Sequence, residues 1–276
     1  RNHMFAKFTH NFSEKEDSYN NFEINLEHVS NDTYLEVHDV KSELIDSDKH
    51  VLRNELKYQF QDEEEYFGLM ATAYEDLDKT DRSKYEYILP NIVYERNLIS
   101  NEKVGIIDLY TNAIAKNYNV NQTTKFLVND IGWKSRSFSN TSGIQSNFEG
   151  LLKLVTYEAE NTSNYKTDGF NAETYGALSY NVSLPMFKKF SDTNKINFLT
   201  PKAALRFAPG HMRDITDENL RLNYSNLFTL NKNSQLDVLE SGINAAIGFE
   251  LSNLDLENNK TGEENYSLYL GQVYSF

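Results

Sequence analysis

The chain has 276 residues, a formal net charge of −14 and no cysteine. The negative charge argues against non-specific nucleic-acid binding, which needs a basic surface, and the lack of cysteine excludes disulfide bonds and thiolate metal sites. The mean hydropathy is −0.62, and no run approaches 18 apolar residues, so a transmembrane helix is excluded. A membrane β-barrel is not excluded, because its strands expose only every second residue to lipid.

Alternation of apolar and polar residues with a period of two predicts 13 or 14 β-strands. No segment favours a helix, and no composition shift marks a domain boundary. The turns between the strands are rich in Asn, Asp, Ser, Lys and Gly, which favour tight turns. In chain order, the predicted strands are 3–12, 20–29, 34–45, 50–61, 65–76, 85–96, 103–116, 123–137, 144–159, 171–184, 195–208, 219–230, 237–252 and 265–276.

The clearest alternation lies at 51–60. One face of this predicted strand is apolar and carries Leu52, Leu56, Tyr58 and Phe60. The other face is polar and carries Arg53, Glu55, Lys57 and Gln59. Such a strand suits a soluble sheet, and it also suits an outer-membrane barrel that is apolar outside and polar inside. On the barrel interpretation, the four polar residues face the lumen.

Two prolines, Pro90 and Pro201, interrupt strand-like runs. Because proline lacks an N–H donor, we expect each of them at a bulge, at a strand end or on an edge. Gly242 and Gly248 lie inside a predicted strand, where glycine often marks a bend or close packing.

No catalytic or metal-binding motif stands out. The six histidines form neither an HExxH nor an HxH motif, and no glycine-rich phosphate loop is present. A triad of His28, His38 or Asp39 with a serine cannot be tested by sequence, because triads are recognised by geometry. Acidic loop residues could gather divalent cations, but their spacing fits no EF-hand: Asp214, Asp217, Glu218, Glu257, Glu263 and Glu264. We therefore predict no catalytic residue, no cofactor and no specific metal site.

Both ends of the chain look like parts of a longer sequence. The chain opens on Arg1 with a strand-like run almost at once, and it closes at 272–276 in a strand pattern without a turn. We interpret residues 1–276 as an internal piece of a longer protein, so a missing targeting signal is uninformative.

Four segments together resemble the LptD (OstA) family of lipopolysaccharide assembly proteins. Residues 29–35 resemble that family's SD-x-x-Y-L segment, 87–92 its LP strand, and 199–209 its L-x-P-x-A strand. Residues 222–242, followed by 270–274, resemble its N-L-F…D-x-x-E-x-G…G-Q-x-Y series. The order and spacing of the segments over nearly the whole chain carry the resemblance.

The resemblance implies an all-β, antiparallel, up-and-down transmembrane β-barrel of roughly 26 strands, about half of them in this chain. The family's jellyroll domain and the two ends of its barrel are then expected outside residues 1–276. The positions that match the family's motifs are Pro90, Pro201, Gly271 and Gln272. The lack of cysteine departs from members that link the jellyroll to the barrel by disulfides.

The implied function is the assembly and translocation of lipopolysaccharide into the outer leaflet of the Gram-negative outer membrane, without catalysis. The implied partners are lipopolysaccharide, an LptE-like plug lipoprotein, a periplasmic Lpt bridge reached through the jellyroll, and outer-membrane lipid; nucleic acid is not expected. Acidic loops would meet lipopolysaccharide phosphates through Mg²⁺ or Ca²⁺, since direct contact is repulsive. The residues leave three alternatives open: another large barrel such as a porin or nutrient receptor, a barrel enzyme, and a soluble all-β binding protein.

Overall fold

The computed structural model describes residues 2–12, 17–41, 48–118, 122–167, 169–190, 195–211, 222–233, 235–255 and 266–276. Within these residues the fold is all-β, as predicted, with fourteen strands in one antiparallel sheet. The strands are β1 (His3–Asn11), β2 (Tyr19–Val29), β3 (Val51–Gln61), β4 (Glu65–Asp76), β5 (Tyr85–Asn101), β6 (Gly105–Tyr118), β7 (Gln122–Lys134), β8 (Phe138–Ser139), β9 (Gln145–Glu160), β10 (Phe170–Ser183), β11 (Met186–Phe190), β12 (Lys195–Ala208), β13 (Gly242–Asp255) and β14 (Tyr266–Ser275).

The sheet follows the order of the chain. Its hydrogen-bonded neighbours run β1-β2-β3-β4-β5-β6-β7-β9-β10-β12-β13-β14, and the short strands β8 and β11 pair with β9 and β12. Strands that neighbour each other in both sequence and space give an up-and-down arrangement, which confirms the predicted topology. In this order β1 and β14 stand at the two ends.

The predicted strand at 34–45 is wrong. Residues Tyr34–His38 form a short helix, α1, which ends at Asp39 in the left-handed conformation with φ 44°. The helix buries Leu35 in a small apolar cluster with Val29, Leu52 and Leu77. Burial of one leucine in tertiary contacts outweighs the local alternation, which carries only a weak preference for strand. Residues 42–45 of the predicted strand lie outside the described residues.

The predicted strand at 219–230 is also wrong where it is described. Tyr224–Leu227 forms a second helix, α2, opened by a capping box between Asn223 and Asn226. The Asn223 side chain accepts a hydrogen bond from the Asn226 N–H at 3.2 Å, and the Asn226 side chain accepts one from the Asn223 N–H at 2.9 Å. Two asparagines three residues apart satisfy the free donors at a helix start, a signal that the alternation hides.

Other element bounds differ in smaller ways. A 3-10 turn spans Arg82–Lys84, and β13 begins at Gly242 and not at 237. The short strands β8 and β11 were not predicted, because two to five residues are too few to show an alternation. Within the described ranges, no helix has the length and apolar character that crossing a membrane requires.

The chain packs as two compact units. Unit 1 comprises Arg1–Asn97, Leu109–Asn129 and Leu154–Glu173. Unit 2 comprises Leu98–Asp108, Asp130–Lys153 and Thr174–Phe276. The boundaries between these ranges fall inside strands and not at linkers, which agrees with the lack of any composition shift along the sequence.

In unit 1 the registers of β1 to β4 sort apolar and polar side chains onto opposite faces. Paired positions share a face of an antiparallel ladder. One face carries the apolar pairs Phe8↔Ile24, Phe22↔Tyr58 and Ile24↔Leu56. The other face carries the polar pairs Lys7↔Asn25, Glu23↔Lys57 and Asn25↔Glu55. Phe8 and Leu56 are exposed, so the apolar face is not covered at these two positions.

In unit 2 the registers of β12 to β14 give the same separation. Leu205 pairs with Ala245, and Ile247 lies two residues further along β13 on the same apolar face. Leu205 is 55% exposed and Ile247 is 50% exposed. On the opposite face Arg206 pairs with Asn244, and these two polar residues are only 2% and 3% exposed. The polar face of this sheet is therefore its buried face.

The two central prolines occupy irregular positions of the ladder. Met70 pairs with Asn91 and Thr72 pairs with Ile88. Two residues along β4 therefore match three residues along β5, which places a bulge at Leu89–Pro90. The expectation that Pro90 marks a bulge is confirmed.

Pro201 keeps an unbroken pairing with Phe249 of β13. On its other side, its carbonyl accepts a hydrogen bond from the Leu184 N–H at 3.1 Å, where β10 ends and β11 has not begun. The N–H and C=O of a strand residue point to the same side. The N–H that Pro201 lacks would therefore also point to this break between β10 and β11. Pro201 therefore removes no regular hydrogen bond from the sheet.

Candidate functional site: a polar face and the segment that covers it

The structure brings the four predicted lumen residues together on the polar face of unit 1. Arg53 donates to the Glu55 carboxylate, and Glu55 also accepts from the Thr72 hydroxyl at 3.2 Å. Lys57 lies opposite Glu23 in the register. Gln59 donates to the Tyr66 hydroxyl at 2.8 Å. These residues line one face of β3 as a polar strip, with polar partners on β2 and β4.

The apolar partners predicted for the other face of β3 separate into two environments. Leu56 is 38% exposed, as expected of an outward position. Leu52 is fully buried in the cluster around Leu35, because α1 covers this end of the strand. The exposed apolar face of β3 therefore starts after Leu52.

The polar strip ends at Glu27, near the end of β2, and this glutamate is buried. Its oxygens accept from the Lys49 ammonium at 2.6 Å, from the Arg53 N–H at 2.7 Å and from the Asn25 amide at 3.1 Å. The Asn54 side chain bridges the backbone of Glu27, accepting from its N–H and donating to its carbonyl. A carboxylate with this many donors is satisfied and serves to fix β2 against β3.

The polar face of unit 2 is covered by the connection between β12 and β13. We call residues 222–241, without residue 234, the cover segment. It starts with α2 and continues without regular structure to β13. Asp237, Val238 and Leu239 within it are buried. A long connection that packs inward on a polar face, and does not extend over solvent, needs buried polar groups to satisfy its backbone.

Three buried cations supply these groups. Lys153 of β9, 1% exposed, donates to the Leu236 carbonyl at 2.8 Å and to the Asp130 carboxylate at 2.7 Å. Arg206 of β12 donates from Nε to the Leu230 carbonyl at 2.6 Å and from Nη2 to the Glu240 carbonyl.

The third cation, Lys232, belongs to the cover segment itself and donates to the Asn244 side chain of β13. Burial lowers the pKa of the Lys232 ammonium, and the nearby Glu240 carboxylate opposes this shift. Lysine and arginine are rarely buried without partners, so these bonds hold the cover segment to the sheet at four points spread over its length.

Two glycines make room for the cover segment. Gly248 of β13 pairs with Gly271 of β14. A Cβ at Gly271 would lie 2.7 Å from Leu227 Cδ1, so the lack of a side chain lets α2 rest on the strand. A Cβ at Gly248 would lie 2.3 Å from the Leu270 carbonyl oxygen and 3.0 Å from the Phe228 ring. Gly271, a position that matched the family motif, thus has a packing role, while Gln272 accepts from the Tyr274 hydroxyl at 3.0 Å.

The Gly248 contact predicts a large difference between two glycine substitutions. We expect Gly248→Ala to lower the free energy of unfolding by about 1–3 kcal/mol, because its methyl group would meet backbone that cannot rotate away. The matched control is Gly132→Ala in β7, where an added Cβ meets no atom within 4 Å. Urea unfolding of the two variants would measure the difference, and equal losses would show that the close packing under the cover segment is unimportant.

Tyr224 of α2 anchors the start of the cover segment. Its ring packs on Phe228 and Tyr269 with centroid distances of 5.6 and 5.1 Å. Burial and the neighbouring Glu250 carboxylate raise the pKa of the Tyr224 hydroxyl to about 12. Tyr224 is therefore a neutral hydrogen-bond donor at physiological pH and not a candidate base.

The sequence also raised the possibility of metal ligands and of a histidine-based triad. Within the described residues, no group of three or more His, Cys, Asp or Glu side chains could hold a metal ion. The six acidic loop residues of the cation hypothesis lie outside the described residues. His38 packs its ring on Tyr34 at 4.7 Å in α1.

Sequence reasoning missed the cations that build this site. The sequence does not mark Lys153, Arg206 and Lys232 as site residues, because isolated charges in strand-like runs are usually solvated. The available signal was their position inside long strands: Lys153 has Leu151 and Val155 two residues away on the same face, and Arg206 has Ala204 and Ala208.

A comparison with models of known protein families finds none that matches the chain, and a comparison with curated proteins finds none similar to it.

Proposed function

We propose that the chain forms part of the wall of an outer-membrane β-barrel that translocates lipopolysaccharide to the cell surface. The observation that carries this proposal is the distribution of side chains on the sheet: apolar side chains are exposed in both units, and the polar face is buried in unit 2. Exposed apolar side chains recur on strands along the order, at Phe8, Leu56, Leu178, Leu205 and Leu270. A protein in water would bury such residues, whereas a barrel wall in lipid exposes them and turns polar residues to the lumen.

The choice of lipopolysaccharide rests on the resemblance to the LptD family together with the polar face. Segments that resemble that family include the bulge at Pro90 and the Gly271 position beneath α2. A lipopolysaccharide molecule carries many sugars, and a polar inner surface suits their passage while its acyl chains travel in lipid. An LptE-like lipoprotein would meet the strip of Arg53, Glu55, Lys57 and Gln59 in unit 1. The periplasmic bridge would act through a jellyroll domain.

The proposal assigns the chain to transport and not to catalysis. Its polar residues are engaged in fixed networks, such as the three donors to the Glu27 carboxylate and the carbonyls bound by Arg206. Transport along a wall depends on the shape and polarity of that wall and not on one reacting group. The proposed cellular location is the outer membrane of a Gram-negative bacterium.

Depletion of the protein tests the function. We expect cells that lose it to show less lipopolysaccharide on their surface and to admit hydrophobic antibiotics, because the outer leaflet is then incomplete. Surface labelling of lipopolysaccharide and growth-inhibition assays would measure both effects. The complete wild-type gene should restore the surface, and so should a gene carrying His38→Ala, a change outside both polar faces.

Two other outcomes would replace the proposal. If depletion leaves surface lipopolysaccharide unchanged and abolishes uptake of one nutrient, the protein is a receptor or porin. If the protein is found in a soluble fraction, the exposed apolar face belongs to a contact with another protein, and the soluble binding alternative applies.

A further inference from the structure

A cavity of about 220 Å³ lies on the polar face of unit 2. Its walls come from β9, β10 and β12, and Phe228 of the cover segment contributes an aromatic ring. The polar lining includes the amides Gln145, Asn147 and Asn181, the charged residues Glu149 and Lys202, and three serines. Neither the strip in unit 1 nor the cations that hold the cover segment belong to this cavity.

The charges of the cavity are balanced inside the protein. The Glu149 carboxylate lies 3.6 Å from the Lys134 ammonium, and the Lys202 ammonium lies 2.5 Å from the Glu250 carboxylate. Each charged group therefore already has a partner of opposite sign, and the cavity offers no net charge to a phosphate or a cation. This balance favours an uncharged ligand.

The remaining polar groups both donate and accept hydrogen bonds. Amide side chains present a donor and an acceptor in one plane, and serine hydroxyls can do either. The Asn147 amide nitrogen donates to the Glu149 carboxylate at 3.0 Å, and the carbonyl oxygen of the same side chain can act as an acceptor. The buried Oδ1 of Asn181 has no hydrogen-bond partner in the described part of the chain. A buried acceptor of this kind calls for a donor from a ligand or an ordered water.

We propose that this cavity binds one ring of a saccharide. A sugar ring is uncharged, carries adjacent hydroxyls that donate and accept, and has an apolar C–H face that can lie on the Phe228 ring. The identity of the saccharide as the sugar part of lipopolysaccharide rests on the proposed function, while saccharide binding itself does not. A glycan that moves along the barrel wall would then bind transiently in this cavity.

The test uses the protein made from its complete gene and held in a detergent without a sugar headgroup. The first probe is the core oligosaccharide released by mild acid from the producing strain's lipopolysaccharide, and the second is maltotriose. Saturation-transfer NMR titrations would give the dissociation constants. We expect the core oligosaccharide to bind, and Asn147→Ala to weaken binding about tenfold through the loss of one or two hydrogen bonds.

Matched variants keep the test decisive. Asn129→Ala removes an asparagine that accepts from Thr111 at 2.8 Å and does not line the cavity, so it should leave binding unchanged. Phe228→Ala should abolish binding, and the unfolding midpoint of Asn147→Ala should equal that of the wild type. Absence of saturation transfer to both probes, or equal binding by Asn147→Ala and wild type, would overturn the proposal.

Failure here is distinguishable from failure of the proposed function. Loss of surface lipopolysaccharide on depletion, without any saccharide binding, would refute the cavity and keep the translocon. Binding of maltotriose alone would support a saccharide cavity and count against lipopolysaccharide as its source.

Discussion

An arginine in place of Leu56 should lower the free energy of unfolding of the complete protein in lipid vesicles by about 2–4 kcal/mol. Leu56 lies near the middle of β3, on the exposed apolar face that it shares with Ile24 and Tyr58. In a membrane this position contacts hydrocarbon, where a guanidinium loses its hydration without gaining a partner. Urea unfolding in phospholipid vesicles would measure the loss.

The control for this prediction lies three residues away on the opposite face. Gln59→Arg adds the same guanidinium to the polar strip, where water and the carboxylates of neighbouring strands can receive it, so we expect a loss below about 1 kcal/mol. Equal losses at 56 and 59 would mean that both faces of β3 are packed against protein. That result would contradict the membrane interpretation and favour a soluble sheet.

Replacing Lys153 by methionine should have the largest effect in unit 2, a loss of about 3–5 kcal/mol in the free energy of unfolding. The Lys153 ammonium is 2.7 Å from the Asp130 carboxylate, and the two side chains are 2% and 19% exposed. Its removal leaves this carboxylate in a poorly solvated place without its cation. It also removes the donor to the Leu236 carbonyl, so the cover segment loses one of its attachments.

A double variant separates the charge effect from the loss of packing. Lys153→Met with Asp130→Leu should recover most of the stability, because a buried ion pair can be replaced by apolar residues at little cost. The exposed pair Lys125–Glu158, at 2.9 Å and about half exposed, is the control, and Lys125→Met should cost less than about 1 kcal/mol. If the double variant is as unstable as Lys153→Met, the attachment to Leu236 and not the ion pair is what matters.

Release of the cover segment can be detected separately from stability. Limited proteolysis should cut residues 222–241 faster in Lys153→Met than in the wild type, while cleavage in unit 1 should be unchanged. This comparison would show that the buried cation acts on the segment and not on the whole sheet.

The strands were predictable because alternation is a local property. The nine residues from Leu52 to Phe60 predict a strand with one apolar and one polar face, and the register with β2 and β4 then follows the same phase. The bulge at Pro90 was equally accessible, since the missing N–H of proline is a property of the residue itself. These features need no knowledge of distant parts of the chain.

The helices and the cations were not predictable by the same reasoning. α1 depends on the burial of Leu35 against Leu52, and α2 rests on Gly271, which is more than 40 residues further along. Lys153 has its carbonyl partner at Leu236, 83 residues away. Contacts between distant residues produce no periodic pattern in either segment, because each partner taken alone resembles an ordinary solvated or turn residue.

Neighbouring residues are enough to predict an all-β, antiparallel sheet with one apolar and one polar face, since side-chain alternation and strand length are local properties. Which face is covered depends on contacts between distant parts of the chain. The cover segment lies on the side of Arg206 and Asn244, and Leu205 and Ile247 are left exposed. The physical reason is that a buried cation finds its acceptors in backbone carbonyls brought from a distant loop, whereas exposed leucines require no partner within the chain.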